Sequence, residues 1–153
     1  MRDTREVAEE IRVGELTIRF LVEGAELGGA AAVFEAIVPP QARVPAPHSH
    51  DGYEETIYGV EGVMTFTVDG ERREIGPGDL VVIPRGAVHG FVNEGDAEAK
   101  GLVVVTPGVL RPDFFREVAA VLDAAAAAGR PPDPAEIGAV MLRHGLTPAP
   151  PSA

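Results

Sequence analysis

Apolar and polar positions alternate with a period close to two through most of the first hundred residues, then switch to a helical period after residue 107. Leu16, Ile18, Phe20 and Val22 alternate with Thr17, Arg19 and Leu21, which predicts a strand over 16–22. Strands follow at 31–38, 55–60, 63–68, 72–75, 80–83, 88–92 and 101–106, each bounded by Gly or Pro. Asp69-Gly70 is a hairpin signal, because both central positions of a tight two-residue turn want positive φ. Gly24 to Gly29 and Gly76-Pro77-Gly78-Asp79 read as turns. Residues 1–12 read as a polar arm or a short helical lead-in, and 41–52 as extended loop held out of helix by Pro45 and Pro47. Some eight short strands at spacings near ten residues predict a single jelly-roll or barrel. No long segment repeats internally, so one such unit is expected.

Beyond Pro107-Gly108, residues Phe114, Phe115, Val118, Val121, Leu122 and Ala125 recur at helical spacing, with Pro112 before them and Gly129 after. A second helix opens at Asp133-Pro134-Ala135-Glu136, where Asp133 caps and Glu136 is placed to reach back. It ends near Gly145, and 148–153 reads as a frayed tail. These helices are expected to serve as lid, dimer element or outer brace.

Composition narrows the possibilities. The 153 residues suffice for one domain with a proper core. A net charge of −11 argues against nucleic acid and anionic membrane surfaces, which need clustered Lys and Arg. The absence of Cys excludes disulfides, thiolate catalysis and sulfur-ligated metals. The N-terminal residues carry charges of both signs and no continuous apolar run, so the expected location is the cytoplasm.

Within the strand region stand His48, His50, Glu55 and His89. Two residues apart on an extended strand, His48 and His50 project from one face, so both imidazoles can converge on one ion. Glu55 returns from a neighbouring strand, and His89 follows the Pro84-Arg85-Gly86 turn. Glu54 competes with Glu55, but only Glu55 lies seven residues before Gly62. Three imidazoles and a carboxylate suit one divalent transition metal, whether Fe, Mn, Ni, Co, Cu or Zn, and leave coordination positions open. His144, the remaining histidine, falls near a helix C-terminus and reads as structural. Asn93 reads as a loop pin.

The motifs His48-x-His50-x4-Glu55-x6-Gly62 and Gly78-x5-Pro84-x-Gly86-x2-His89-x3-Asn93, fifteen residues apart, resemble those of the cupin superfamily at every fixed position. The similarity covers residues 31–106 and is of the compact bacterial single-domain kind. Phe20-Leu21-Val22, Gly28-Gly29 and the helical tail resemble, more loosely, quercetin-dioxygenase-like members. The resemblance implies an all-β cupin jelly roll (a double-stranded β-helix) with two C-terminal α-helices. As domain organisation it implies one cupin domain over 1–153, with the barrel at 13–106 and the helical extension at 109–147. It also implies a homodimer, since cupins commonly pair through their sheets.

The functional expectation is a metal-dependent oxidoreductase of the dioxygenase type, taking a small oxygenated aromatic or enediol-like substrate. The metal site is His48, His50, Glu55 and His89, with Glu55 as a base. Ile57, Gly59, Met64, Phe66 and Phe91 are the candidate pocket. Gly59 shares the parity of Glu55 and Ile57, so it either frees volume beside the metal or marks a bulge or close packing contact. Because one barrel hosts many reactions, a non-catalytic binding or regulatory module and a metal-dependent isomerase or lyase stay open.

Overall fold

A computed structural model describes residues 9–42 and 45–150. The eleven strands among them are β1 (Glu9–Val13), β2 (Leu16–Val22), β3 (Ala32–Val38), β4 (His48–His50), β5 (Glu54–Glu61), β6 (Met64–Val68), β7 (Glu71–Ile75), β8 (Leu80–Ile83), β9 (His89–Val92), β10 (Ala99–Thr106) and β11 (Leu146–Pro148). The two α-helices are α1 (Pro112–Ala127) and α2 (Pro134–Arg143), and the turn expected after β2 is a 3-10 turn at Gly24–Leu27. The strands form a six-stranded sheet, β1-β2-β3-β10-β5-β8, facing a five-stranded sheet, β11-β4-β9-β6-β7. All their pairings are antiparallel, giving the jelly-roll barrel with C-terminal helices that the strand pattern implies.

Period-two patterning converts directly into layers. In β3 every second residue, Ala32, Phe34, Ala36 and Val38, is buried, and β10 repeats this with Ala99, Gly101, Val103 and Val105. These rows meet Ile57, Met64 and Phe66 from the neighbouring strands in one core between the sheets. The Asp69-Gly70 hairpin forms as expected, with φ of 48° and 84° at the two positions.

Three expectations are corrected. Of residues 1–12, read as arm or helical lead-in, 9–12 belong with Val13 to an edge strand whose Ile11 and Val13 face the core; residues 1–8 lie outside the described part. The 41–52 stretch, read as loop, contains β4, which His48 enters directly opposite His89. The tail expected from 148 begins inside a strand: Leu146–Pro148 form β11, laid on the outer edge of β4 after Gly145 turns the chain at φ 79°.

Asp133 caps α2 by accepting a hydrogen bond from the Ala135 amide at 2.8 Å, while Glu136 pairs with Arg130 instead of reaching back. Phe115 of α1 sets its ring edge against Phe20 and Phe34, at 5.7 and 5.3 Å between centroids. At the far end of α2, Glu117 of α1 accepts from Arg143 at 2.6 Å and pairs with His144 Nε2 at 2.9 Å. No described helix is long and apolar enough to cross a membrane.

Candidate metal centre

β4 and β9 belong to the five-stranded sheet and β5 to the other, so the site spans the barrel interior. Glu55 Oε2 stands 3.2 Å from His50 Nε2 and 3.4 Å from His89 Nε2. Two ligand atoms of one ion, each about 2.1 Å from it, are roughly 3.0–3.4 Å apart, and these distances match. His48 stands beside this trio: its ring centroid is 4.6 Å from that of His89 and 6.2 Å from that of His50. The compact cluster, with donor atoms within 4.8 Å of one another, is His50, Glu55 and His89.

Each imidazole is oriented by main chain. Nδ1 of His48, His50 and His89 lies 3.1, 2.9 and 3.0 Å from the carbonyls of Ala46, Tyr53 and Ala87. A carbonyl only accepts, so each Nδ1 carries a proton, and in the neutral ring Nε2 presents a lone pair. His50 Nε2 and His89 Nε2 both face Glu55 Oε2, as hydrogen-bond donors when the ring is protonated and as its co-ligands when a cation is present. With the rings neutral, a cation reconciles three converging acceptors, and the donor set fits a divalent metal.

The electrostatics agree. Burial pushes the Glu55 carboxyl up, but the His50 and His89 imidazoles beside it outweigh burial and hold it down to about 2. Burial lowers the His48 imidazole to about 4, with the neighbouring His89 charge acting the same way. Burial also lowers His89, yet the Glu55 carboxylate more than compensates and its net shift is upward.

Glu54 turns outward and holds Arg85 through two hydrogen bonds of 2.9 and 3.1 Å, which separates the adjacent glutamates by role. Asn93, 2% exposed, donates to the Val38 and Ala97 carbonyls and accepts from the Gly95 amide, pinning the loop between β9 and β10.

An internal cavity of about 90 Å³ adjoins the cluster. Ile57, Met64, Phe66 and Phe91 line it, together with Glu55, His48 and His89. Gly59 does not. Its parity is as expected and it is buried, but a Cβ there would lie 2.0 Å from the Gly76 carbonyl oxygen. It hydrogen-bonds Asp79 O and Gly78 N, at 2.9 and 3.0 Å, so the position docks the β7–β8 turn instead of widening the pocket. The ladder to β10 also shifts register beside it.

Tyr53 is a site residue that sequence reasoning misses. It is 2% exposed, stacks on His50 with centroids 3.8 Å apart and rings 15° from parallel, and lines the cavity. A lone aromatic inside the spacer between His50 and Glu55 is the available signal. Burial raises its phenol well above the ordinary value, and the Glu55 charge adds to this.

Residues 34–105 match the family model described as a cupin domain. The chain is 29% identical over 108 residues to quercetin 2,3-dioxygenase of Bacillus subtilis (strain 168), covering 71% of this chain and 31% of that protein. It is 32% identical over 79 residues to protein SchB of Streptomyces halstedii, covering 52% of this chain and 56% of the other. It thus spans about a third and about half of these two relatives. Among solved structures, the polyketide cyclase RemF of Streptomyces resistomycificus superposes with a TM-score of 0.58 at 29% identity, covering 76% of this chain and 91% of that one.

Proposed function

Because the chain is a compact member of the cupin superfamily, we propose that it is a metal-dependent oxidoreductase of the dioxygenase type for a small oxygenated aromatic or enediol-like compound. The observation that carries the substrate class is the cavity wall. Apart from His48, Tyr53, Glu55 and His89, every described lining residue is apolar, with no Lys, Arg, Ser, Thr, Asn or Gln among them. A sugar or small dicarboxylate would bury hydroxyls or charges there without partners, at about 1–3 kcal/mol for each neutral group. A planar ring with oxygen on one edge meets apolar walls on its faces and the polar cluster at that edge. Quercetin, named in the Bacillus subtilis relative, is an oxygenated aromatic of this kind.

His48, His50, Glu55 and His89 would hold the metal. When bound, a redox-active divalent ion supplies Lewis acidity toward a substrate oxygen and one-electron chemistry with dioxygen. The Ala46, Tyr53 and Ala87 carbonyls keep the imidazole lone pairs aimed at the centre. Glu55, ionised through the physiological range, is the group positioned to take a proton from a substrate hydroxyl. Ile57, Met64, Phe66 and Phe91 flank the ring and exclude water.

The test joins metal analysis of untagged protein with oxygen uptake on flavonols and catechols. About one equivalent of a redox-active metal, lost in His50→Ala/His89→Ala, together with substrate-dependent oxygen consumption, is expected. Absence of metal from the wild-type protein overturns the site. An oxygen-independent lyase or isomerase reaction in the same apolar chamber is the second reading, favoured by the likeness to a named polyketide cyclase. Product formation under nitrogen distinguishes it. Ligand binding without turnover under either condition identifies a binding module.

The barrel and its helical extension are read as one domain, supported by the Phe20–Phe34–Phe115 cluster that joins them. The assembly is read as a homodimer. Tyr58 and Val60 of β5, with Leu80 and Val82 of the edge strand β8, are 45, 43, 50 and 53% exposed on the outside of the six-stranded sheet. A second copy covers that patch.

A further inference from the structure

The two sheets meet along two seams of different construction. At one, β7 runs into β8 through the Gly76–Asp79 turn. At the other, the sheet edges β1 and β11 do not pair with each other. Helix α1 packs on β1, α2 on β11, and the helices on each other, so the helical pair is the wall of the barrel there. This wall lies outside the segment that matches the family model. It gives the cavity Phe114, Phe115, Val118, Met141 and Leu146. β11 is also the neighbour of β4, so the wall adjoins the strand that carries His48 and His50.

The cavity of about 90 Å³ is too small for the ligand class it suits. An enclosed apolar cavity of about 150 Å³ takes up benzene, and ligand sites generally run from about 300 Å³ upward. A larger groove of about 580 Å³ shares Pro45, His89 and Phe91 with this cavity, but a ring seated against Glu55 still needs the lining around it to give way. The barrel strands are poor candidates, because β10 alone pairs with β3 and with β5 over seven residues each.

The arm formed by α2 and β11 is held far less. Three residue pairs tie it to β4, one of them through Pro148, which has no N–H to give the ladder, and the Ala149 amide adds one bond to the Pro47 carbonyl at 2.9 Å. Its clasp to α1 is the Glu117 carboxylate with Arg143 and His144, and the first two of these side chains are 41 and 58% exposed. The connection from Gly129 to Asp133 is exposed throughout. An element held by few pairings and exposed clasps opens at low cost.

We infer that the α2–β11 arm is the moving wall through which an aromatic ligand reaches Glu55, and that Met141 and Leu146 set the size of ring system retained. Both side chains line the cavity and are 1 and 2% exposed. The inference rests on reading this cavity as the ligand site, and its test separates the two.

The chain has no cysteine, so an introduced pair is the sole thiol pair. Ser49 and Thr147 stand directly opposite each other in the β4–β11 ladder, and neither lines the cavity. Opposed strand residues have Cβ atoms about 4.5–5.5 Å apart, near the range a disulfide spans after slight adjustment. Ser49→Cys/Thr147→Cys, in the metal-containing protein, is therefore a lock that a phosphine reductant opens. Uptake of 3-hydroxyflavone is followed by stopped-flow fluorescence.

The oxidised protein is expected to bind the probe at least about tenfold more slowly than the same protein reduced, about 1.4 kcal/mol in barrier. Equal rates in the two forms, with uptake as in the wild type, overturn the moving wall and leave the cavity as ligand site. No uptake by wild type, oxidised or reduced protein overturns both. Should the double variant fail to fold, Glu117→Ala releases the clasp. Faster uptake than wild type supports the inference, and an unchanged rate counts against it.

Discussion

At the scale of single residues, two glycines near the candidate site give a stability contrast. Gly59→Ala drives a methyl group against the Gly76 carbonyl oxygen, backbone that cannot give way. The expected cost is about 3 kcal/mol or more, seen as a fall of roughly 10 °C in melting temperature. Gly52, where an added Cβ would meet nothing within 4 Å, is the control, and Gly52→Ala is expected to stay within about 0.5 kcal/mol of wild type. His48 provides the pH prediction for metal-free protein. Its value falls from 6.5 to about 4 on folding, so as pH drops below 6.5 the unfolded chain takes the proton first. Stability from this group is present above pH 6.5 and is lost between 6.5 and 4, by no more than about 3 kcal/mol. His48→Gln lacks that component. Urea midpoints of the two proteins should converge or cross as pH falls through the window, and a constant gap would contradict the assignment.

The same scale shows where sequence reasoning succeeds and stops. Spacing separates Glu55 from Glu54, and the structure turns only Glu55 inward. Parity places Gly59 on the inner face but carries no information about depth, so only the Gly76 turn packed against it decides between pocket and close contact. The carbonyls that orient the imidazoles are invisible in a sequence, since every residue has one.

Among elements, legibility follows the number of alternating positions. β2 and β8 begin and end where their patterns do, at Leu16–Val22 and Leu80–Ile83, and β3 and β10 are recovered with small boundary shifts. The missed strands are short or edge-bound. β1 offers only Ile11 and Val13 as buried positions among charges, while β4 and β11 have three residues each and take their conformation from their neighbours. Local propensity cannot specify a strand whose stability is entirely its partner's. Helix α2, by contrast, announces its start through Asp133. Removing that cap with Asp133→Ala is expected to cost about 1 kcal/mol in urea denaturation, against a neutral change for the exposed Glu136→Ala beside it. A cost below about 0.3 kcal/mol would mean that packing of Val140 and Met141, not the cap, sets the helix start.

At the scale of the whole molecule, the proposed homodimer is tested at the exposed patch on β5 and β8. Leu80→Lys/Val82→Lys places charge on both exposed edge-strand positions while leaving the buried Val81 and Ile83 in place. Light scattering should show a dimer for wild type and a folded monomer for the variant. A variant that keeps the wild-type mass would remove this face as the interface. The net charge of −11 adds a repulsion between copies that weakens with salt, so the wild-type dimer should tighten as ionic strength rises.

The three imidazoles owe their aim to the carbonyls of Ala46, Tyr53 and Ala87, groups that no substitution of those side chains removes. The apolar walls take no part in that anchoring. The geometry of the candidate metal cluster is thereby uncoupled from the lining of the cavity beside it. Successive changes at positions such as Phe66, Phe91 or Met141 can redirect what the chamber admits while the anchors persist, so a barrel of this construction diversifies its chemistry without first having to rebuild its centre.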